Sequence, residues 1–368
     1  MDRASNVANI LYVGTFTAHP PYPRGRAEGI YVYNFDPSSV ALAPLQVVPD
    51  VPSPSFVTLA PDRRHLYAVN AVPEIDGHPG GAVSAFAVDP STGTLTFLNR
   101  QSSHGAGPCH VSVDRTGRWA LVANFGGGSV AVLPIQSDGR LGPATDVVQH
   151  AGSSVHPVRQ SGPHAHSLNL DPANRFALVC DLGLDRVFVY RFDAERGTLR
   201  PNENQPWVQV HGGAGPRHLA YHPNGQYVYV IDEIDSTLIA FAYDPMSGVL
   251  RELQIVSTLP DGFQGDNSCA DLHVHPSGRF VYGSNRGHDS IVVFGVDEQT
   301  GRLAYVGHEP TRGRTPRNFM IDSTGTLMLV ANQDGDNIVA FRIDGATGRL
   351  ALIGQVAEVP SPTCLKLV

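Results

Sequence analysis

Long apolar runs, basic runs and paired cysteines are all missing from this chain. Nowhere do about 18 apolar residues follow one another, so no transmembrane helix is expected. The opening segment, MDRASNVANILYVGTF, has neither a continuous apolar stretch nor a small-residue cleavage site, so the sequence reads as that of a soluble, cytoplasmic protein with no membrane partner. Charged residues are only 16% of the chain, the net charge is −8, and no Lys/Arg-rich cluster occurs. The electrostatic footprint of a nucleic-acid binder is therefore absent, and a small-molecule ligand fits better. Cys109, Cys180, Cys269 and Cys364 lie far apart with no CxxC pair, which argues against a disulfide framework or a zinc knuckle and for reduced, mostly structural thiols. Helix-length stretches free of breakers are also scarce, because 38 glycines and 29 prolines interrupt the 368 residues. That density disfavours bundles and doubly wound α/β folds and points to an all-β chain. A hydrophobic content of 42% is enough for a sizeable core and excludes disorder.

What the chain does have is an internal repeat. The segment PRHLAYHPNGQYVYVIDEIDSTLIAFAYD (216–244) has relatives starting at residues 54, 108, 164, 269 and 316. Each unit reads as four strands: a short apolar strand A, a turn such as HPNG, DRTG or HPSG, a strand B of the form FVYGSN, a strand C of the form IVVFGVD, and a strand D after a Gly-containing turn. The spacing falls in the range of propeller blades. Strand B first appears as ILYVG near the N-terminus, and SPTCLKLV at the C-terminus matches strand A alone. The fold expected is a seven-bladed β-propeller, one domain over residues 1–368, with four antiparallel strands per blade. Its ring is closed by the C-terminal strand pairing with the N-terminal blade, which removes exposed edges. Residues 18–29 read as a long B–C loop and residues 153–166 as a long D–A loop.

Antiparallel pairing brings the start of strand A and the end of strand B to one rim. That rim collects Ser55 with Asn70; Cys109 and His110 with Asn124; His164 and His166 with Asp181; Arg217 and His218 with Asp232 and Glu233; Asp271 with Asn285 and Arg286; and Arg317 and Asn318 with Asn332 and Gln333. The other rim carries generic turns. Asn70, Asn124, Asn285 and Asn332 recur at one repeat position, which suits hydrogen bonds that tie loops together; Asp185, at the entry to strand C, reads the same way. Arg217, Arg286 and Arg317 read instead as a site for a carboxylate or phosphate, since guanidinium is expensive to bury without a partner. His164 and His166 have the HxH spacing that puts both side chains on one face of a strand. With no evident third and fourth ligand the pair is not read as a metal site. The histidines of loops and turns, such as His150, read as surface residues. No GxSxG and no Gly-rich strand-to-helix phosphate loop occurs, so neither a covalent serine hydrolase nor a nucleotide enzyme is expected, and no cofactor.

Taken together, GPHAHS, LGLDRVFVY, GAGPRHLAYHPNGQYVYVIDE, GRFVYGSNRGHDSIVVF and GRTPRNFMIDSTGTLMLVANQ resemble the seven-bladed propeller lactonase family, which includes bacterial cycloisomerase-type 6-phosphogluconolactonases and carboxy-cis,cis-muconate cyclases. The resemblance runs from ILYVGTF to PTCLKLV. It implies hydrolysis of a sugar lactone, 6-phospho-glucono-δ-lactone foremost, in the pentose phosphate pathway. The alternatives are a muconate-type lactonising cycloisomerase or a non-catalytic binding propeller. By motif match the catalytic residues implied are His164 or His166, Arg217, Glu233 and Arg286. Substrate contacts are expected from Arg317, His218, Asp181, Asp271, Asn285, Asn332, Gln333 and His110, to a small anionic substrate on a monomer or weak homodimer. In lactone hydrolysis Glu233 or a neutral His166 would be the general base, with arginines stabilising the oxyanion. The sequence reads DEI where the family has NEL, so Asp232 is expected to push the pKa of Glu233 upward.

Overall fold

The computed structural model describes residues 9–19, 25–75 and 77–368. The first eight residues of the opening segment, and residues 20–24 of the expected B–C loop, lie outside the described residues. No α-helix occurs among the described residues, and none is long and apolar enough to cross a membrane. Among the described residues seven antiparallel sheets of four or five strands follow one another, each with strands A to D in order from one edge to the other, beside a small two-stranded hairpin of Glu74–Ile75 and His78–Pro79. The C-terminal strand Pro362–Leu367 pairs with Ile10–Thr15, in the register Leu11↔Leu367 and Val13↔Leu365. The two chain ends therefore complete one blade, as the terminal half-repeats predict.

Every strand B is a nearly continuous apolar run rather than an alternating one, and the packing explains why. Ile10–Thr15, Trp119–Asn124, Phe176–Asp181, Tyr227–Asp232 and Leu327–Asn332 are buried along their whole length, because both faces of each sheet lie against neighbouring blades. The core is accordingly spread between blades. Leu178, Val189, Val228 and Phe241 join the fourth and fifth; Tyr282, Val293, Val330 and Phe341 join the sixth and seventh. Leu11, Val13, Leu329 and Ile338 form the closing contact. Tyrosines of strand B clip four of the blades to the C–D turn of the next: Tyr12 to the Gly93 carbonyl at 2.8 Å, Tyr67 to Gly139 at 3.0 Å, Tyr229 to Gly301 at 3.1 Å, and Tyr282 to Gly348 at 2.9 Å.

One irregularity in the inner strands positions the site. In six of the seven blades the A–B register shifts close to the start of strand A. A bulge of this kind leaves a residue without a ladder partner and re-aims its side chain. The skipped positions include Thr363, Cys109, His166, Arg217 and Arg317. In five blades the bulge thus turns one side chain into the mouth of the central channel.

Candidate active site

Those five residues, with Ser55, Phe56, His218 and Asn318, line a narrow cavity at the mouth. A roomier cavity of about 480 Å³ sits on the opposite rim among Asp322, Thr324, Thr326 and Arg342. The small cavity is the candidate site, because the bulged inner strands converge there and a cluster of mutually perturbed charges adjoins it through Arg217.

Glu233 is the centre of the charge cluster. It follows strand B of the fifth blade and is 7% exposed. Its Oε2 accepts from Arg217 Nε at 2.8 Å and pairs with Arg286 Nη2 at 2.9 Å, while Oε1 pairs with Arg159. Arg217, 2% exposed, also donates to the Ala270 carbonyl. Ala270 occupies the repeat position that Arg217 holds in its own blade, and its small side chain leaves room for that reach. Arg286 donates from Nη2 to the Cys269 carbonyl at 2.8 Å. Arg317 stacks on Phe16 with 5.0 Å between its guanidinium carbon and the ring centroid, and it has no carboxylate partner among the described residues. Three guanidinium groups therefore share one carboxylate, and a fourth stands near them without one.

The electrostatics follow from that imbalance. Burial works to raise the pKa of Glu233, but Arg286, Arg217 and Arg159 together hold it well below the usual carboxylate range. The upward shift expected from Asp232 is reversed. The three arginines override it, and burial, helped by Asp235 and Asp185, raises the pKa of Asp232 itself well above the ordinary carboxylate value. Burial and the neighbouring Arg286 and Arg317 bring Arg217 down to about 9, so it stays a cation at neutral pH. His166 is buried; desolvation and then Arg217, His218 and Arg317 lower its pKa well below the ordinary value, so the ring is neutral. Burial pushes the Cys109 thiol up to about 12, and its Sγ lies 3.1 Å from the His166 carbonyl oxygen, so it lines the cavity as a thiol.

The structure separates the two residues of the HxH pair. His166 occupies a bulge, which breaks the alternation on which a shared face depends. It lines the cavity, whereas His164 stacks on Phe125 with 4.6 Å between centroids and bonds the Phe125 carbonyl through Nδ1 at 2.9 Å. Asp181 is likewise not among the cavity-lining residues: its carboxylate takes the His164 backbone N–H at 2.8 Å and His150 Nδ1 at 2.6 Å. His150, expected at the surface, is buried between Asp181 and the Tyr190 hydroxyl, 2.9 Å from its Nε2. Asn285 bonds Thr258 and Asn267, Asn332 bonds the Thr311 carbonyl and Asn337, and Gln333 bonds Asp334. These three are loop ties, set back from the cavity.

Sequence reasoning missed Arg159, although it marked the loop that carries it. That loop is tightly built. His156 Nδ1 accepts the Arg159 backbone N–H at 3.0 Å, and the buried Gln160 amide donates to the Leu182 carbonyl at 2.9 Å and to Asp185 at 2.6 Å. Asp185 also takes the N–H groups of Gly213 and Gly215 at 2.7 and 2.8 Å. One carboxylate thus joins the Arg159 loop to the segment that leads into Arg217. The signal available was an arginine in the longest D–A insertion, beside the glutamate-bearing blade.

A ring of blades with a cation-rich mouth is a ligand-binding propeller, and comparison with known proteins specifies which. Residues 10–367 match the family described as "Lactonase, 7-bladed beta-propeller". The chain belongs to the seven-bladed β-propeller lactonase family. It is 38% identical over 359 residues, 98% of each chain, to a 6-phosphogluconolactonase of Bacillus subtilis. It is 32% identical to a 6-phosphogluconolactonase of Formosa agariphila, over 87% of this chain and 88% of that one. Among solved structures it resembles the periplasmic gluconolactonase of Pseudomonas aeruginosa, with a TM-score of 0.90 and 36% identity over 98% of both chains.

Proposed function

We propose that this protein hydrolyses a sugar lactone bearing an anionic group, with 6-phospho-glucono-δ-lactone as the substrate. The observation that carries this reading is the surplus of cations at and around the mouth, with Arg159, Arg217, Arg286 and Arg317 set against the carboxylates of Glu233 and Asp271. Such a surplus in a buried site favours an incoming anion. Arg217 and Arg286, both oriented by Oε2 of Glu233, stabilise the oxyanion that develops on the lactone carbonyl. Arg317, which has no carboxylate to satisfy, holds the distal phosphate.

Glu233 is poorly suited to accept a proton while three guanidinium groups hold it ionised. Its role is to aim the arginines, and a neutral imidazole at the mouth takes the proton of the attacking water. His166 contributes a neutral wall to the cavity where the lactone ring lies. The names of the relatives from Bacillus subtilis and Formosa agariphila support the phosphorylated substrate, which would place the reaction in the pentose phosphate pathway. The Pseudomonas aeruginosa structure, a gluconolactonase, makes the unphosphorylated lactone the competing reading. We further read the chain as one domain, a monomer or weak homodimer acting in the cytoplasm, where its four free cysteines would stay reduced.

The test is hydrolysis of freshly generated 6-phospho-glucono-δ-lactone by the purified protein, corrected for the spontaneous rate, beside unphosphorylated gluconolactone. Faster turnover of the phosphorylated lactone supports the reading. No rate above background on either lactone overturns it.

A further inference from the structure

Three histidines line or border the mouth, and only one of them has a carboxylate partner among the described residues. His218 Nδ1 lies 2.8 Å from Asp271 Oδ1, and its Nε2 lies 3.3 Å from Arg217 Nη1. Arginine can only donate and an ionised carboxylate can only accept. The two contacts together therefore place the ring proton on Nδ1 and the lone pair on Nε2, beside the arginine that faces the substrate carbonyl. His110 has the opposite arrangement, since its Nδ1 accepts the Leu168 backbone N–H at 3.4 Å. His166 Nδ1 is buried with no partner.

Asp271 is itself built in. It is 3% exposed, and its Oδ2 takes His273 Nε2 at 3.1 Å and the Asn318 amide. Asn318 is fixed in turn, because its Oδ1 accepts the Leu365 backbone N–H at 2.7 Å. Burial would raise the pKa of Asp271, but His273 and His218 hold it well below the carboxylate range, so it stays ionised. A backbone-anchored carboxylate thus orients an imidazole whose other nitrogen lies at the cavity beside Arg217, the arrangement by which hydrolases make a base from a histidine.

We propose that His218 is the general base of the lactone hydrolysis and that Asp271 is its positioning residue. The proposal rests on the lactonase reading above. When the lactone carbonyl draws Arg217 Nη1 to its oxygen, Nε2 of His218 is freed for water. The water oxygen bonds to the carbonyl carbon as its proton passes to Nε2. The oxyanion then collapses, the ring C–O bond breaks, and Nε2 returns that proton to the departing ring oxygen. One water is consumed, and the product is the open-chain hydroxy acid.

The groups facing the His218 ring are Arg217, Asp271, His273, His166 and His110. Burial and Arg217 lower its pKa and Asp271 raises it, with the balance at about 4. The test compares kcat, KM and the pH dependence of kcat/KM for wild type, His218→Gln, Asp271→Asn and His166→Gln. Loss of a positioned base lowers kcat by about 10²-fold or more, with KM little changed. In Asp271→Asn the acid limb of the profile moves to lower pH, because the carboxylate that raises the imidazole pKa is gone; a merely structural residue would leave that limb in place. A large kcat loss in His166→Gln with His218→Gln near wild type would overturn the proposal. So would an unmoved acid limb in Asp271→Asn. Should the variants fold poorly, ¹⁵N spectra of wild-type histidines decide: His218 protonated on Nδ1 supports the assignment, and protonation on Nε2 overturns it. An absence of any lactone turnover by wild type would instead remove the functional reading, which keeps the two failures distinct.

Discussion

Arg217 Nε donates to Glu233 Oε2 over 2.8 Å, with both side chains almost wholly withdrawn from solvent. Arg286 reaches the same oxygen and Arg159 the other, so the buried carboxylate is what keeps three guanidinium groups in place.

Glu233→Gln is expected to leave those cations without a counter-charge. Breaking a buried ion pair from one side costs roughly 3–5 kcal/mol, so the melting temperature falls, and kcat falls far more than KM rises because the oxyanion donors lose their aim. The pKa of Glu233 is depressed in the folded protein. Its stabilising contribution is therefore present above the ordinary carboxylate value of 4.5 and lost as pH falls toward the depressed one. Melting curves between pH 3 and pH 7 should show this acid loss in wild type and a weaker one in the variant.

Asp232→Asn is expected to raise stability at neutral pH without changing kcat. The Thr237 hydroxyl lies 2.9 Å from Asp232 Oδ2 and 2.8 Å from Asp235 Oδ1. The hydroxyl has one proton for two carboxylates, so an asparagine amide at position 232, which can donate to the hydroxyl oxygen, relieves that competition. Because the folded pKa of Asp232 is raised, wild type loses stability as pH climbs above about 4, until the folded value is reached. The variant lacks that loss, and the difference in melting temperature between the two should widen as pH rises above the ordinary carboxylate value.

The ring and its closure were legible in the sequence because the turn chemistry repeats in each blade and strand B is apolar on both faces. The charged rim was legible for the same reason: Arg217, Arg286 and Arg317 fall at fixed repeat positions. What alternation could not show was which of His164 and His166 faces the channel, because a bulge inserts one unpaired residue and resets the period. Arg159 escaped because its loop has no counterpart in the other blades. The raised pKa of Asp232 depends on burial beside Asp235 and Asp185, which spacing does not reveal.

Arg159→Gln should have a small effect on stability, because its side chain is 39% exposed and such pairs contribute at most about 1 kcal/mol. It should nevertheless lower kcat/KM, since one oxygen of Glu233 loses its partner at the mouth. Melting temperature and steady-state kinetics on the same preparation check both halves.

Tyr229→Phe removes one clip between the fifth and sixth blades, at the Gly301 carbonyl. A loss of about 1 kcal/mol is expected, with kcat and KM unchanged, as measured by denaturant unfolding and by lactone turnover.

The central claim is that the unmatched guanidinium of Arg317 recognises an anionic group on the lactone. The most direct test is the ratio of kcat/KM for phosphorylated over unphosphorylated gluconolactone, in wild type and in Arg317→Gln. A ratio of about 10 or more in wild type that collapses toward 1 in the variant, mainly through KM, is the expected result, in line with loss of a charge-assisted hydrogen bond. An equal ratio in the two proteins, or a wild type that prefers the unphosphorylated lactone, would contradict it.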